Sequence, residues 1–73
     1  MSSWTFETFE KPYKEKWHVS VSYRWNKGNA YEVFAGVFDD KGTHLWTIFN
    51  RLYATKENAR RSFRRQVAKL KAE

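Results

Sequence analysis

Residues 17 to 25, "WHVSVSYRW", alternate without a break over nine positions. Trp17, Val19, Val21, Tyr23 and Trp25 fall on one side, and His18, Ser20, Ser22 and Arg24 on the other. A period of two over this length predicts a strand buried on one face, and such a strand needs neighbours. The chain supplies them at once. In "NKGN", Lys27-Gly28 suits a two-residue hairpin turn in which glycine takes a positive φ. The second strand is "AYEVFAGVF", residues 30 to 38. Pairing Asn26 with Asn29 sets Trp25 opposite Ala30, Val21 opposite Phe34 and Trp17 opposite Phe38, so the apolar faces coincide. "DDKG", residues 39 to 42, is a second turn, and "THLWTIFNRLY" is the third strand. A bulge at Gly42 puts Trp46 and Ile48 on the face of Phe34 and Phe38. A tight turn puts Leu45, Thr47 and Phe49 there instead. The bulge is favoured because it buries the tryptophan.

The period then changes. Thr55 is a good N-cap, and Glu57 in the first turn complements the helix dipole. Ala59, Phe63, Val67 and Leu70 recur at helical spacing and form one apolar stripe. Residues 55 to 72 therefore read as an amphipathic helix, its stripe laid on the Trp17/Val21/Phe34/Phe38 face of the meander over residues 17 to 53. The expected fold class is α+β: a three-stranded antiparallel meander packed on one C-terminal helix. Residues 1 to 14 hold Trp4, Phe6, Phe9 and Tyr13, too many large rings for a free tail. They read as an extended segment that can add a fourth strand, and Pro12 argues against a central place for it. In this register Val33, Val37, Leu45 and Phe49 lie on the opposite sheet face and need a cover. The N-terminal segment is the first candidate and a partner the second.

Seventy-three residues make one small domain with room for a single core. Four Trp, four Tyr and six Phe compensate for the short length, since each ring buries much area. There is no cysteine, hence no disulfide, thiolate metal site or thiol nucleophile. A secreted domain this small usually needs disulfides, so a cytoplasmic location is expected. Neither a membrane span nor a signal peptide is legible.

No constellation for catalysis stands out, and the chain reads as a non-enzyme without cofactor or small-molecule substrate. In the tight-turn register His18 and His44 share a row with Val37 between them, about 9.6 Å apart at two strand spacings. That is too far to share a zinc with bonds of ~2.1 Å. In the bulged register they point to opposite faces. Asp39 and Asp40 are turn residues, and the three glycines are too scattered for a phosphate loop.

Charge is the informative property. Residues 55 to 73 hold seven cations (Lys56, Arg60, Arg61, Arg64, Arg65, Lys69 and Lys71) against two glutamates. Residues 1 to 54 hold seven cations against six carboxylates. At 100° per residue, Arg60, Arg64 and Lys71 line one flank of the helix and Arg61, Arg65 and Lys69 the other. Arg60/Arg64 and Arg61/Arg65 are like-charge pairs that cost a few tenths of a kcal/mol each (about 0.2–0.5). Arginine also suits phosphate better than lysine does. An uncompensated pattern of this kind calls for an external anion: nucleic acid, duplex DNA first, or an acidic protein surface.

The stretch "LYATKENARRSF" resembles the strand-to-helix junction of the arm-type DNA-binding domains of tyrosine integrases. In that family an aromatic residue precedes Thr or Ser, Lys and a small Ala, as Tyr53, Thr55, Lys56 and Ala59 do here. The likeness covers roughly residues 17 to 72. It implies a three-stranded sheet that enters the major groove with Ser20, Ser22 and Arg24 toward DNA and the helix behind. Thr55-Lys56-Glu57-Asn58-Ala59-Arg60 is also similar to the helix start of double-stranded RNA-binding domains, with Glu57 where that family has a second lysine. The expected function is a small regulator of phage or mobile-element type that binds nucleic acid through the basic helix, the sheet face or both. The alternative is a protein-binding inhibitor docking on an acidic surface of a host protein, such as RNA polymerase or a DNA-processing enzyme.

Overall fold

Four antiparallel strands and a helix follow one another along the chain. They are β1 (Ser3–Pro12), β2 (His18–Asn26), β3 (Ala30–Phe38), β4 (His44–Tyr53) and α1 (Lys56–Ala72). The computed structural model describes residues 3–26, 28 and 30–73. The strands form one sheet in the order β1-β2-β3-β4, and α1 packs on β2 and β3. The class is α+β, and the N-terminal segment supplies the fourth strand. It is an edge strand, as Pro12 requires.

The β2 alternation holds: Val19, Val21 and Tyr23 are buried under the helix, and Ser20, Ser22 and Arg24 face away. The β2–β3 register differs from the expected one by a residue. Asn26 pairs with Ala30, Val21 with Ala35 and His18 with Phe38. The expected Asn26–Asn29 pair is thus replaced by Asn26–Ala30; Gly28 has a φ of +100°, while Lys27 and Asn29, and with them the conformation of the turn, lie outside the described residues. One residue of slip exchanges the two faces of a strand. The core therefore takes Val33, Ala35 and Val37 from β3, and Phe34 and Phe38 lie on the opposite face.

The β3–β4 turn is held by Asp39. Its carboxylate accepts from the amides of Lys41 and Thr43, both at 2.9 Å, and its carbonyl accepts from Gly42, whose φ is +87°. In β4 neither expected phase survives, because the register shifts twice, between the partners of Ala35 and Gly36 and between those of Val37 and Phe38. Phe49 pairs with Ala35 and Trp46 with Val37, so both lie on the helix side, with Ile48 as an extra residue between them. Bulges of this kind also make an edge strand a poor template for further pairing.

The helix starts as read. The Thr55 hydroxyl accepts from the Asn58 amide at 3.2 Å, and Glu57 lies in the first turn. Ala59 and Phe63 are buried, and Val67 and Leu70 pack half-buried at the core margin. Phe63 meets the Tyr23 ring with centroids 4.9 Å apart. β1 adds Phe6 and Phe9 to this margin, and Lys11 ties it to the helix end by donating to the Leu70 and Glu73 carbonyls. The N-terminal segment thus widens the sheet rather than covering its far face.

Candidate functional site

The fold sorts charge by side. Lys11, Arg51 and the seven cations of α1 stand on the helix side against Glu7, Glu57 and Glu73, a formal excess of six. The open sheet face carries Arg24 against Glu10 and Glu32.

The two helix flanks read from the sequence are real, and each meets a sheet edge. On the β1 side, Lys56 lies 4.2 Å from the Phe6 ring centroid and Lys71 5.5 Å from that of Phe9. In both the ammonium group itself lies over the ring face, a cation–π placement. Arg60 stands 3.9 Å from Glu57, and Arg64 lines a groove with Glu7 and Phe63. Tyr23, beneath them, has its phenol pushed above its ordinary value, chiefly by burial and then by Glu7, to which it donates at 3.0 Å.

On the β4 side the arrangement is more specific. Arg61 and Arg65 line a groove with Asn58 and Ser62 of α1 and with Arg51 and Tyr53 of β4. Tyr53 donates to the Ser62 hydroxyl at 2.7 Å, which fixes the strand against the helix. The Arg51 guanidinium lies 5.6 Å from the Tyr53 ring centroid, a cation–π placement that limits its wandering. Lys69 is exposed farther along the same flank, beside Trp46. Among the described residues none of Arg51, Arg61, Arg64 and Arg65 is paired with a carboxylate.

The open face is a different surface. Arg24 donates from Nε to Glu32 at 2.9 Å, and Asn26 and Asn50 donate to the same carboxylate at 3.0 and 2.6 Å. Burial pushes the Glu32 carboxyl up, but the hydrogen bonds from Asn50, Asn26 and Arg24 outweigh it and hold the group below its ordinary value. Ser20 and Ser22 share this face with Arg24, as read, but the guanidinium is engaged. Toward the other end, His18 and His44 flank Phe38 with ring centroids 5.7 and 5.4 Å from it. The histidines thus share a row, with Phe38 between them rather than Val37. Among the described residues no group of three His, Cys, Asp or Glu is placed to hold a metal ion, and no helix is long and apolar enough to cross a membrane.

Sequence reasoning found the helix cations and missed Arg51 and the Tyr53–Ser62 tie. A lone Arg between Asn50 and Leu52 carries no local signal; its meaning comes from the edge position of β4 beside α1. Comparison of the chain with protein-family models, curated proteins and solved structures finds no match among any of them.

Proposed function

We propose that this chain is a small non-enzymatic module that binds nucleic acid, duplex DNA in the first place, by laying its helix side along the phosphate backbone. The observation that carries this reading is the sorting of charge: an excess of six on the helix side, with arginines along both flanks that have no carboxylate partner among the described residues. Self-repulsion of that kind is relieved by an external polyanion. Spacing agrees as well. Arg61, Arg65 and Lys69 climb ~12 Å along the helix at ~1.5 Å per residue. Successive phosphates of a B-DNA strand rise ~3.4 Å along the axis and lie farther apart along the winding backbone, so cations ~6 Å apart are spaced to meet neighbouring phosphates. The integrase-like alternative, in which the sheet enters the groove, would present Arg24 already engaged by Glu32.

Salt dependence tests the reading. With about four phosphate contacts, log K falls against log salt with a slope near −3.6 on duplex DNA. Replacing Arg60, Arg61, Arg64 and Arg65 by Gln flattens that slope while the helix content stays unchanged. No duplex affinity at low salt would sink the proposal. The protein-modulator reading would then lead, favoured by Phe34 and Phe38, aromatic groups on a sheet face that no part of the described chain covers.

A further inference from the structure

We infer that the groove between β4 and α1 is a defined seat for one phosphate of a nucleic-acid strand, gripped by Arg51, Arg61 and Arg65. The inference rests on the nucleic-acid reading for its ligand but on separate observations for its place. Three arginines from two elements line one groove, and none has a carboxylate partner among the described residues. Arg61 and Arg65 are a turn apart on one flank and repel each other, and neither forms an ion pair among the described residues. Arg51 reaches the groove from the strand, placed by the Tyr53 ring, whose hydroxyl is in turn fixed on buried Ser62. The groove floor is therefore built before a ligand arrives, which lowers the cost of ordering it on binding.

The chemistry of the lining selects the ligand. A carboxylate offers two oxygens and is satisfied by one guanidinium fork. Three forks from different directions suit a tetrahedral anion, whose oxygens point to more than one side. Arginine rather than lysine at all three places fits a phosphate held by paired N–H donors. Asn58 adds an amide at the rim. The other helix flank lacks this arrangement: Arg60 has Glu57 beside it, and the Lys56 and Lys71 ammonium groups lie over phenylalanine rings. The contact is thus concentrated on the β4 edge and gives the bound strand a fixed register against the protein. A terminal monoester presents three free oxygens and a backbone diester only two, so both offer a tetrahedral oxyanion but the monoester fills more of the three forks, and the two can be told apart.

The test uses the full chain and inorganic phosphate as probe, followed by NMR at constant ionic strength with chloride as the reference ion. Saturable shifts at the Nε–H signals of Arg51, Arg61 and Arg65 and at the Ser62 amide are expected, with Arg60 and Arg64 lagging. R51Q and R65Q each weaken phosphate binding by about tenfold, the worth of one charge-assisted contact, whereas K41Q, in the β3–β4 turn, does not. R51K recovers little, because lysine lacks the fork. Duplex titrations with 5′-hydroxyl and 5′-phosphate ends follow. Equal loss of affinity in R51Q for both marks an internal diester, and loss only for the phosphorylated end marks a terminal one. Phosphate shifts that never saturate and spread evenly over all helix arginines overturn the seat. Duplex binding that ignores R51Q and R65Q also overturns it, leaving the broader reading intact. A saturable seat in a chain without duplex affinity overturns the broader reading and its strand ligand, leaving an anion site.

Discussion

Tyr53 at the end of β4 donates its hydroxyl to the buried Ser62 of α1 at 2.7 Å. This bond joins the outermost strand to the helix and closes one end of the core. Removing either partner leaves the other unsatisfied at a half-buried site. Ser62→Ala and Tyr53→Phe are each expected to cost about 1 kcal/mol. The double variant costs less than the sum, because both changes delete the same contact. Urea denaturation of the four proteins measures the coupling. A strictly additive result would show the two groups acting independently.

Phe63 is 5% exposed and sits against Tyr23 at the centre of the helix–sheet contact. Phe63→Ala is expected to cost about 3–5 kcal/mol, a large share of what a domain of this size has. The denaturation midpoint reports it. A midpoint that barely moves would place Phe63 outside the core and overturn the helix phase.

The Glu32 carboxyl is held below its ordinary value in the folded chain, so its contribution is present above the unfolded value of about 4.3. That contribution fades as the pH falls through the folded value. Acidification is therefore expected to lower the thermal midpoint, and Glu32→Gln to flatten that part of the profile. An unaltered acid limb in the Gln variant would assign the acid sensitivity to other carboxylates.

Arg24 separates the two ways such a molecule can meet DNA. If the helix side carries the contact, Arg24→Ala leaves the gap between a selected and a scrambled duplex unchanged and shows itself only in stability. If the sheet enters the groove, the same change narrows the gap by the ~1–3 kcal/mol that an arginine on a guanine edge supplies. A competition titration with both duplexes decides it.

How far the sequence disclosed these features depends on whether a segment has one apolar face or two. In β2 one face is serine, histidine and arginine, so alternation alone assigns it. In β3 both sets, Val33/Ala35/Val37 and Phe34/Gly36/Phe38, can be buried, and hydrophobicity leaves the register open by one residue. Large aromatic side chains argue for the wrong set. The space under α1 suits Val and Ala because Phe63 and Tyr23 already fill it. Gly36 adds a reason on the other face: a Cβ there would come within 2.9 Å of the Phe34 ring, which lies across the glycine. In β4, Trp46 and Phe49 share a side only through an intervening bulge, which period-two reasoning cannot anticipate. The helix cations were plain from the sequence because they sit on one continuous element. Arg51 joins them only through the edge position of β4 and the height of the helix above it.

The unbroken strand order β1-β2-β3-β4 has a kinetic consequence. Every strand pairs with the next in the chain, so the sheet can zip from any hairpin outward, each step closing a short loop at small entropic cost. The docking of α1, the packing of Tyr13 and Trp17 on Trp46, and the reach of Lys11 to the carbonyl of Glu73, 62 positions away, bring distant parts together. Wiring of this kind favours fast folding for a sheet protein, with little time spent as unpaired edges that could join another molecule.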